Sequence, residues 1–451
     1  MNDTICAIST ALGVGAISII KVSGNDAIEI VNNIFSGKNL LEVDSHTIHY
    51  GFICDNEEKI DEVLVSIMKS PKTFTREDVV EINCHGGIAT TNKVLELLLL
   101  KGCRLAEPGE FTKRAFLNGR INLMEAEAVM DLINGKTEEA RKVAMAGLEG
   151  AGSKLISKLR EDLVGIISNI EVNIDYPEYN DIYEVTRNDI TEKLSYFRSS
   201  LEKIVSEYEN GRILTDGIKT VIVGRPNVGK SSILNKLLNY DKAIVTDIPG
   251  TTRDIVEGDI SFNGILLNII DTAGIRETND VVEKIGVEIS LSKIDEADLV
   301  LVILNNNEEL NETDLEILEK TKNRPSIVVI NKNDLTSKIN MDKLAGREIV
   351  YTNTIDLLGV DSLKDKITRM FNLEEIKKND YNYITNTRQI AKIKECLGRL
   401  SDINTSLEQE VPLDIIEIDL RDIWNILGEI IGESYTEELL DELFSKFCVG
   451  K

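Results

Sequence analysis

KTVIVGRPNVGKSSILNKLL, residues 219–238, decides the architecture at the centre of the chain. Its opening run, KTVIV, is the short apolar stretch of a strand buried on both faces. Its close, SILNKLL, repeats apolar residues at three and four and reads as a helix. Between them GRPNVGKS (Gly224–Ser231) has the glycine–lysine–serine spacing of a phosphate-binding loop. Glycines let backbone N–H groups close on phosphates, Lys230 can reach the terminal ones, and the Ser231 hydroxyl can bind magnesium. Strand, glycine loop and helix in this order are the context that makes the motif specific.

Outward from this point, from Gly217 to about Met370, LLNIID, ADLVLVIL and SIVVIN alternate with helical patterns. That is the texture of a parallel sheet built from βαβ units. DTAG (Asp271, Thr272, Ala273, Gly274) ends one strand, where Asp271 can hold magnesium through water and Gly274 can approach a terminal phosphate. NKND ends another, and brings Asn331, Lys332 and Asp334. Asp334 can accept from both the ring N1 and the exocyclic amine of guanine, a donor pair adenine lacks. Leaving such a carboxylate unpaired disfavours the wrong base by about 10⁴, so GTP is expected rather than ATP. The loop VTDIPGTTRD (Val245–Asp254) offers adjacent threonines, one hydroxyl for magnesium and one N–H for the terminal phosphate. The nucleotide contacts expected are therefore Asn227, Val228, Gly229, Lys230, Ser231 and Ser232, then Thr246, Asp247, Ile248, Pro249, Gly250, Thr251 and Thr252, together with the DTAG and NKND residues. Asn353 and Thr354 stand where a serine–alanine pair is usual, a departure confined to the fifth guanine-binding motif. Ile275 follows DTAG and cannot orient water; carboxylates follow at Glu277, Asp280 and Glu283.

The flanks differ. Gly109–Tyr176 and residues 376–447 are rich in long amphipathic patterns, so the α/β domain interrupts a helical bundle. The first 118 residues, with AISIIKVSG, VLVSIMK and DVVEINCHGG as strands and TNKVLELLLLKG as a helix, form a separate α/β unit. Length alone, 451 residues at about 150 per domain, suggests roughly three domains. The expected boundaries are 1–118, 119–213, 214–375 and 376–451, with net charges of -5, -6, -9 and -6 that sum to -26. No segment is a basic module, so RNA cannot be held by bulk electrostatics and needs a local cationic patch or a more basic partner. The start lacks a charged leader and no run of 18 apolar residues follows, which argues for a cytoplasmic protein without a membrane span. Six cysteines without a C-x-x-C pair indicate neither a zinc site nor a disulfide framework. Asn305–Glu309 reads as a solvated loop, Trp424 as core, and His85-Gly86-Gly87 as a tight turn.

GRPNVGKSS, VTDIPGTTRD, DTAGIRETNDVVEKIG and the terminal FCVGK, with the HGG and PGEFTKRAFLNGR stretches near the start, together resemble the bacterial tRNA-modifying GTPase family MnmE, also called TrmE. The resemblance spans essentially the whole chain. It implies an α/β multidomain protein: a Ras-like P-loop GTPase domain inserted into a helical bundle, after an N-terminal α+β domain that binds folate and forms the homodimer. It implies GTP hydrolysis when two G domains meet, with potassium in place of an arginine finger. Asn227, Thr246, Ile248 and Thr251 match the potassium ligands, Ser231 and Thr252 the magnesium ligands, and Glu283 the water-orienting glutamate. Lys21, Glu81, Arg120 and Lys451 match positions that contact 5-formyltetrahydrofolate or a related folate, and Cys448 matches a cysteine with a role in modification. The implied partners are tRNA, modified at C5 of the wobble uridine, and a flavin-containing protein resembling MnmG. The competing expectation is a ribosome-assembly or regulatory GTPase of the Era or Der kind, whose dedicated RNA-binding module the segment charges do not show.

Overall fold

The computed structural model describes residues 3–175, 187–240, 258–262, 264–270, 293–353, 359–376 and 384–450. Contacts divide the chain into two compact units: residues 1–130, 153–190 and 401–451, and residues 131–152 and 191–400.

The first unit is organised by a seven-stranded sheet. Its strands are β1 (Ile5–Ile8), β2 (Ile17–Ser23), β3 (Phe35–Ser36), β4 (Thr47–Asp55), β5 (Glu58–Met68), β6 (Val79–His85) and β7 (Arg104–Leu105), in spatial order β3-β4-β5-β6-β2-β1-β7. All neighbours are antiparallel except β1 and β7. Side chains alternate across the sheet. Ile20, Val22, Val63, Val65, Ile67, Val80 and Ile82 point to one face and form a core with the helices Ala27–Asn32 and Ile88–Leu100. The opposite face carries Ile17, Ile48, Tyr50 and Leu64, between 48% and 66% exposed. The three N-terminal strands read from sequence are present as β2, β5 and β6, and so is the helix. β4, TIHYGFICD, escaped the reading because histidine, glycine and cysteine dilute its alternation.

The helical part of this unit closes on a second core of Phe116, Leu123, Ala126, Leu440, Phe444 and Phe447. The helix Leu413–Ile431 stops at Gly432, whose φ of 84° is left-handed. A Cβ there would lie 2.8 Å from the Phe116 ring, so glycine is required by both backbone and packing. Trp424, expected as core, is half-buried; its ring is covered by the Arg160 guanidinium at 4.1 Å. The chain's end is tied down: the Gly109 N–H donates to the Cys448 carbonyl at 3.2 Å, and the Ser9 hydroxyl to the Gly450 carbonyl at 3.2 Å.

The second unit contains β8 (Ile218–Val223), β9 (Gly258–Phe262), β10 (Ile265–Ile270), β11 (Leu299–Asn305), β12 (Ser326–Asn331) and β13 (Glu348–Tyr351), in order β13-β12-β11-β8-β10-β9. All pairs are parallel except β9–β10. β11 is buried at every residue: Leu299, Leu301 and Ile303 enter one core, Val300, Val302 and Leu304 the other. This double-sided burial is why the strand is apolar throughout rather than alternating. After β8 the chain forms the edge strand β9 and then β10 beside β8, before crossing to the other side with β11. The order therefore reverses at β8 and β11, where a doubly wound sheet opens its ligand crevice.

Asn305–Glu309 corrects the sequence reading. Asn305 is the last residue of β11, and Asn305 and Asn306 are both buried. They are not solvated because each finds protein partners. Asn305 Nδ2 donates to Glu308 at 2.5 Å, Asn306 Nδ2 to the Leu335 carbonyl at 3.0 Å, and the Asn306 N–H to the Asn331 carbonyl at 2.9 Å.

Candidate nucleotide site

Gly224 follows β8 directly with φ of 155°, and a Cβ at this position would lie 2.5 Å from the Ile303 carbonyl oxygen. Only glycine lets the loop leave the sheet so close to β11. Asn227 follows in the left-handed region at φ 61°, Val228 is buried, and Lys230 opens the helix Lys230–Tyr240. The Lys230 ammonium donates to the carbonyls of Gly224 at 2.9 Å and Arg225 at 2.8 Å. Its charge therefore sits inside the curve of the loop, where phosphate oxygens would meet it together with the first helical N–H groups. Ser231, on the first helical turn, is half-buried.

The NKND loop begins where β12 ends. Asn331 is fully buried; its Nδ2 donates to the Val228 carbonyl at 2.8 Å, and its Oδ1 accepts from the Thr352 hydroxyl at 3.3 Å. Lys332 has φ of 61°, and its ammonium donates to the Asn227 carbonyl at 3.2 Å. Two consecutive residues of NKND thus hold two residues of the phosphate loop. Asp334 remains exposed, as a carboxylate that must meet a base requires. Asn353 takes part through its carbonyl, which accepts from the Lys236 ammonium at 2.9 Å.

Arg225 was not singled out by the sequence reading. Its Nε donates to the fully buried Asp314 at 2.9 Å, and its Nη2 lies 3.1 Å from Glu308. Asp314 also closes the capping box with Asn311 that starts the helix Glu312–Lys320. The capping box is legible as N-x-x-D; its link to the loop about 90 residues earlier is not, because no local pattern encodes it.

The expected contacts Thr246, Asp247, Ile248, Pro249, Gly250, Thr251, Thr252, Asp271, Thr272, Ala273, Gly274 and Glu283 lie outside the described residues, as do Ile275, Glu277, Asp280, Thr354 and Lys451.

A second constellation lies in the first unit. Lys21 on β2 and Glu81 on β6 are cross-strand partners, with Nζ and Oε1 4.0 Å apart. The Lys21 ammonium stands 5.4 Å from the centre of the Phe111 ring and 5.9 Å from that of Phe74. Arg120 places its guanidinium 4.7 Å from the same Phe74 ring and donates to the Phe74 carbonyl at 3.3 Å. The structure thus brings together all three described folate candidates, around an aromatic residue that sequence reading missed. Beneath them Arg114, almost wholly buried, pairs with Glu77, Glu110 and Asp3. Burial pushes the Glu110 carboxyl up. Its bonds from Arg104, the Glu107 N–H and Arg114 outweigh that and hold it below the usual carboxylate range. Cys448 is exposed, not buried as a structural thiol would be. The contrast is Cys396, fully buried, where desolvation pushes the thiol up to about 12.

A sequence profile of the MnmE helical domain matches residues 123–448, and one of the GTP-binding protein TrmE N-terminus matches residues 4–120. The tRNA modification GTPase MnmE of Bacillus thuringiensis is 52% identical to this chain over 455 residues, covering 100% of this chain and 99% of its own length. The protein of the same name from Bacillus licheniformis is 50% identical over 458 residues, covering 100% of both. Among solved structures, Era from Aquifex aeolicus bound to GDP and aluminium fluoride shares 33% identity. It covers 34% of this chain and 56% of its own, with a TM-score of 0.25.

Proposed function

The chain belongs to the MnmE (TrmE) family of tRNA modification GTPases, and from that premise we propose that it is a potassium-dependent GTP hydrolase acting with a flavin-containing MnmG-like partner. Together they modify C5 of the wobble uridine of certain tRNAs, using a one-carbon unit from 5-formyltetrahydrofolate or a related folate. The domains assigned are 1–118 for folate and dimerisation, 214–375 for GTP, and 119–213 with 376–451 for the helical bundle.

The observation that carries the GTP part is the double tie between NKND and the phosphate loop, Asn331 to Val228 and Lys332 to Asn227. It fixes the distance between base and phosphate recognition. Asp334 is then the specificity residue and Lys230 the phosphate ligand. Ser231 and Thr252 would hold magnesium; Asn227, Thr246, Ile248 and Thr251 would hold potassium. Asn227 fits that role: it is exposed, its carbonyl is engaged by Lys332, and its carboxamide has no hydrogen bond among the described residues. A cation there supplies positive charge against the oxygens of the transferring phosphoryl group, a contribution worth about 10³–10⁵ in rate when an arginine makes it. Glu283 orients the attacking water once two G domains face each other.

Support for the folate part is the cluster of Lys21, Glu81 and Arg120 around Phe74. Two cations suit folate carboxylates and Glu81 suits the amide-like edge of a pterin. Support for a homodimer through the N-terminal domain is the exposed apolar face of Ile17, Ile48, Tyr50 and Leu64. Cys448, exposed at the tethered end of the chain, is the residue assigned to modification. No described helix is long and apolar enough to cross a membrane.

The test has two arms. GTP turnover should be stimulated by potassium and not by sodium at equal ionic strength; equal stimulation would remove the potassium assignment. Mass spectrometry of tRNA nucleosides from cells lacking the protein should show wobble uridines without the C5 substituent, and unchanged uridines would remove the modification assignment.

A further inference from the structure

From Lys332 to Lys338 the NKND loop buries no side chain, and the first residue after it to enter a core is Ile339. Apolar packing therefore does not set where Asp334 stands; hydrogen bonds do. One residue supplies three of them. The Asn306 N–H donates to the Asn331 carbonyl at 2.9 Å, its carboxamide Nδ2 donates to the Leu335 carbonyl at 3.0 Å, and its own carbonyl accepts from the Lys338 N–H at 2.8 Å. Asp334 thus lies between anchors three residues before it, one residue after it and four residues after it, all made by Asn306.

Asn306 is itself held in place. It is 3% exposed and directly follows β11, which is buried at every residue. Two of its three bonds are made by the main chain and survive any substitution except proline. The third needs an N–H donor two bonds beyond Cβ: aspartate has the length without the donor, serine stops one atom short, and alanine has neither. The other ties of the loop are the Asn333 N–H to the Thr352 carbonyl at 3.1 Å, the Leu335 N–H to the Lys332 carbonyl at 3.0 Å and the Lys332 ammonium to the Asn227 carbonyl at 3.2 Å. Among the described residues, only Asn306 hydrogen-bonds the stretch Leu335–Lys338 to the sheet.

We propose that Asn306 is a positioning residue for guanine selection, its carboxamide holding the Asp334 carboxylate where the ring N1–H and the exocyclic amine of the base both reach it. The proposal rests on the assignment of Asp334 to the base made above and adds what fixes its aim. A carboxylate rejects a base that lacks one donor only if it cannot swing to a geometry in which the loss goes unfelt. Released at Leu335, Asp334 keeps its bond to N1–H and loses register with the amine. Guanine then binds more weakly, and hypoxanthine, which has the N1–H and no amine, is affected less. The ratio of the two affinities reports the role. The Asn305 carboxamide is the control: buried one residue earlier, it donates to Glu308 at 2.5 Å and makes no bond to the NKND loop.

Titration calorimetry of GDP and inosine diphosphate against the full chain tests this without turnover. The parent should bind GDP about ten- to a hundredfold more tightly, the worth of one hydrogen bond to a charged acceptor. Asn306→Ala and Asn306→Asp should each compress that ratio to about threefold or less. The aspartate variant fills the same volume, so a cavity left by alanine does not decide the outcome. Asn305→Ala should keep the parent's ratio. A parent that binds the two nucleotides equally overturns the Asp334 reading itself. A parent that discriminates, beside Asn306 variants that discriminate as well, overturns the positioning role and leaves Asp334 in place. A ratio lost as fully in Asn305→Ala also overturns it, because the effect then belongs to the whole turn.

Discussion

The carboxamide of Asn331 donates 2.8 Å to the main-chain carbonyl of Val228, joining the end of β12 to the loop after β8 across 103 residues of sequence. Both groups are buried, so neither can substitute water for the other. The NKND loop and the Gly224–Ser231 loop are thereby tied directly to each other. Asn331→Ala leaves a buried carbonyl unpaired at a cost of about 1–3 kcal/mol, which should weaken GTP binding by roughly five- to a hundredfold. A dissociation constant within about twofold of the parent's, measured by calorimetry, would show that the bond does not couple the loops. Asp334→Asn should separately exchange a preference for GTP for one for xanthosine triphosphate, whose C2 carbonyl accepts from the new amide.

Gly224→Ala places a methyl 2.5 Å from the Ile303 carbonyl at φ 155°. Neither β11 nor the loop can yield, because β11 is buried along its whole length. The variant should lose GTP binding and melt several degrees lower, since strain of about 1–3 kcal/mol is large beside total stability. Gly165→Ala makes the matching control. Its Cβ meets nothing within 4 Å, and it lies inside the long helix Ala151–Asp175. There alanine should stabilise by about 0.5–1 kcal/mol. Calorimetric melting that moved both variants in one direction would contradict the assignment.

Phe74 holds Lys21 and Arg120 through its ring face. Phe74→Leu keeps an apolar side chain against the cluster of Ile5, Ala7, Ala106 and Phe111 and removes the cation–π attraction, about 0.5–1 kcal/mol for each partner. Folate should bind roughly three- to thirtyfold more weakly, with recovery in Phe74→Tyr, which keeps an aromatic face. Unchanged affinity in the leucine variant would release Phe74 from the site.

His85 and Asp61 form a pH-dependent pair on the exposed sheet face. The ring Nδ1 and Asp61 Oδ1 are 2.7 Å apart, and the Asp61 carboxylate raises the imidazole above its ordinary value of 6.5. The sign follows from linkage: stabilisation is complete below pH 6.5 and is lost as pH rises through the raised value. The melting-temperature gap between the parent and Asp61→Asn should therefore narrow with increasing pH. Part of it will persist, because Asp61 also accepts from the His85 N–H at 2.7 Å. A gap that widens with pH would contradict this pairing.

Tyr50 and Leu64 face each other across β4 and β5 on the exposed side of the sheet. The homodimer proposed above predicts that Ile48→Glu with Leu64→Glu shifts the protein from dimer to monomer in sedimentation velocity, with GTP binding preserved. A dimer that survives both charges would move the interface elsewhere.

The expectation of a guanine-nucleotide site was legible in sequence alone. Glycine spacing, a lysine and a serine in one loop, and an aspartate after a buried strand are local requirements of phosphate and guanine, so they are written in consecutive residues. The double-sided burial of β11 was legible for the same reason: a strand covered on both faces must be apolar at every position. Tertiary structure decided what couples distant segments. The Asn331–Val228 bond, the Arg225–Asp314 pair and the cluster around Phe74 each join residues with no fixed spacing in the chain. Asn305 and Asn306 show the physical reason most directly. Composition makes them solvent-seeking, yet both are buried, because the fold supplies the hydrogen bonds that water would otherwise have made.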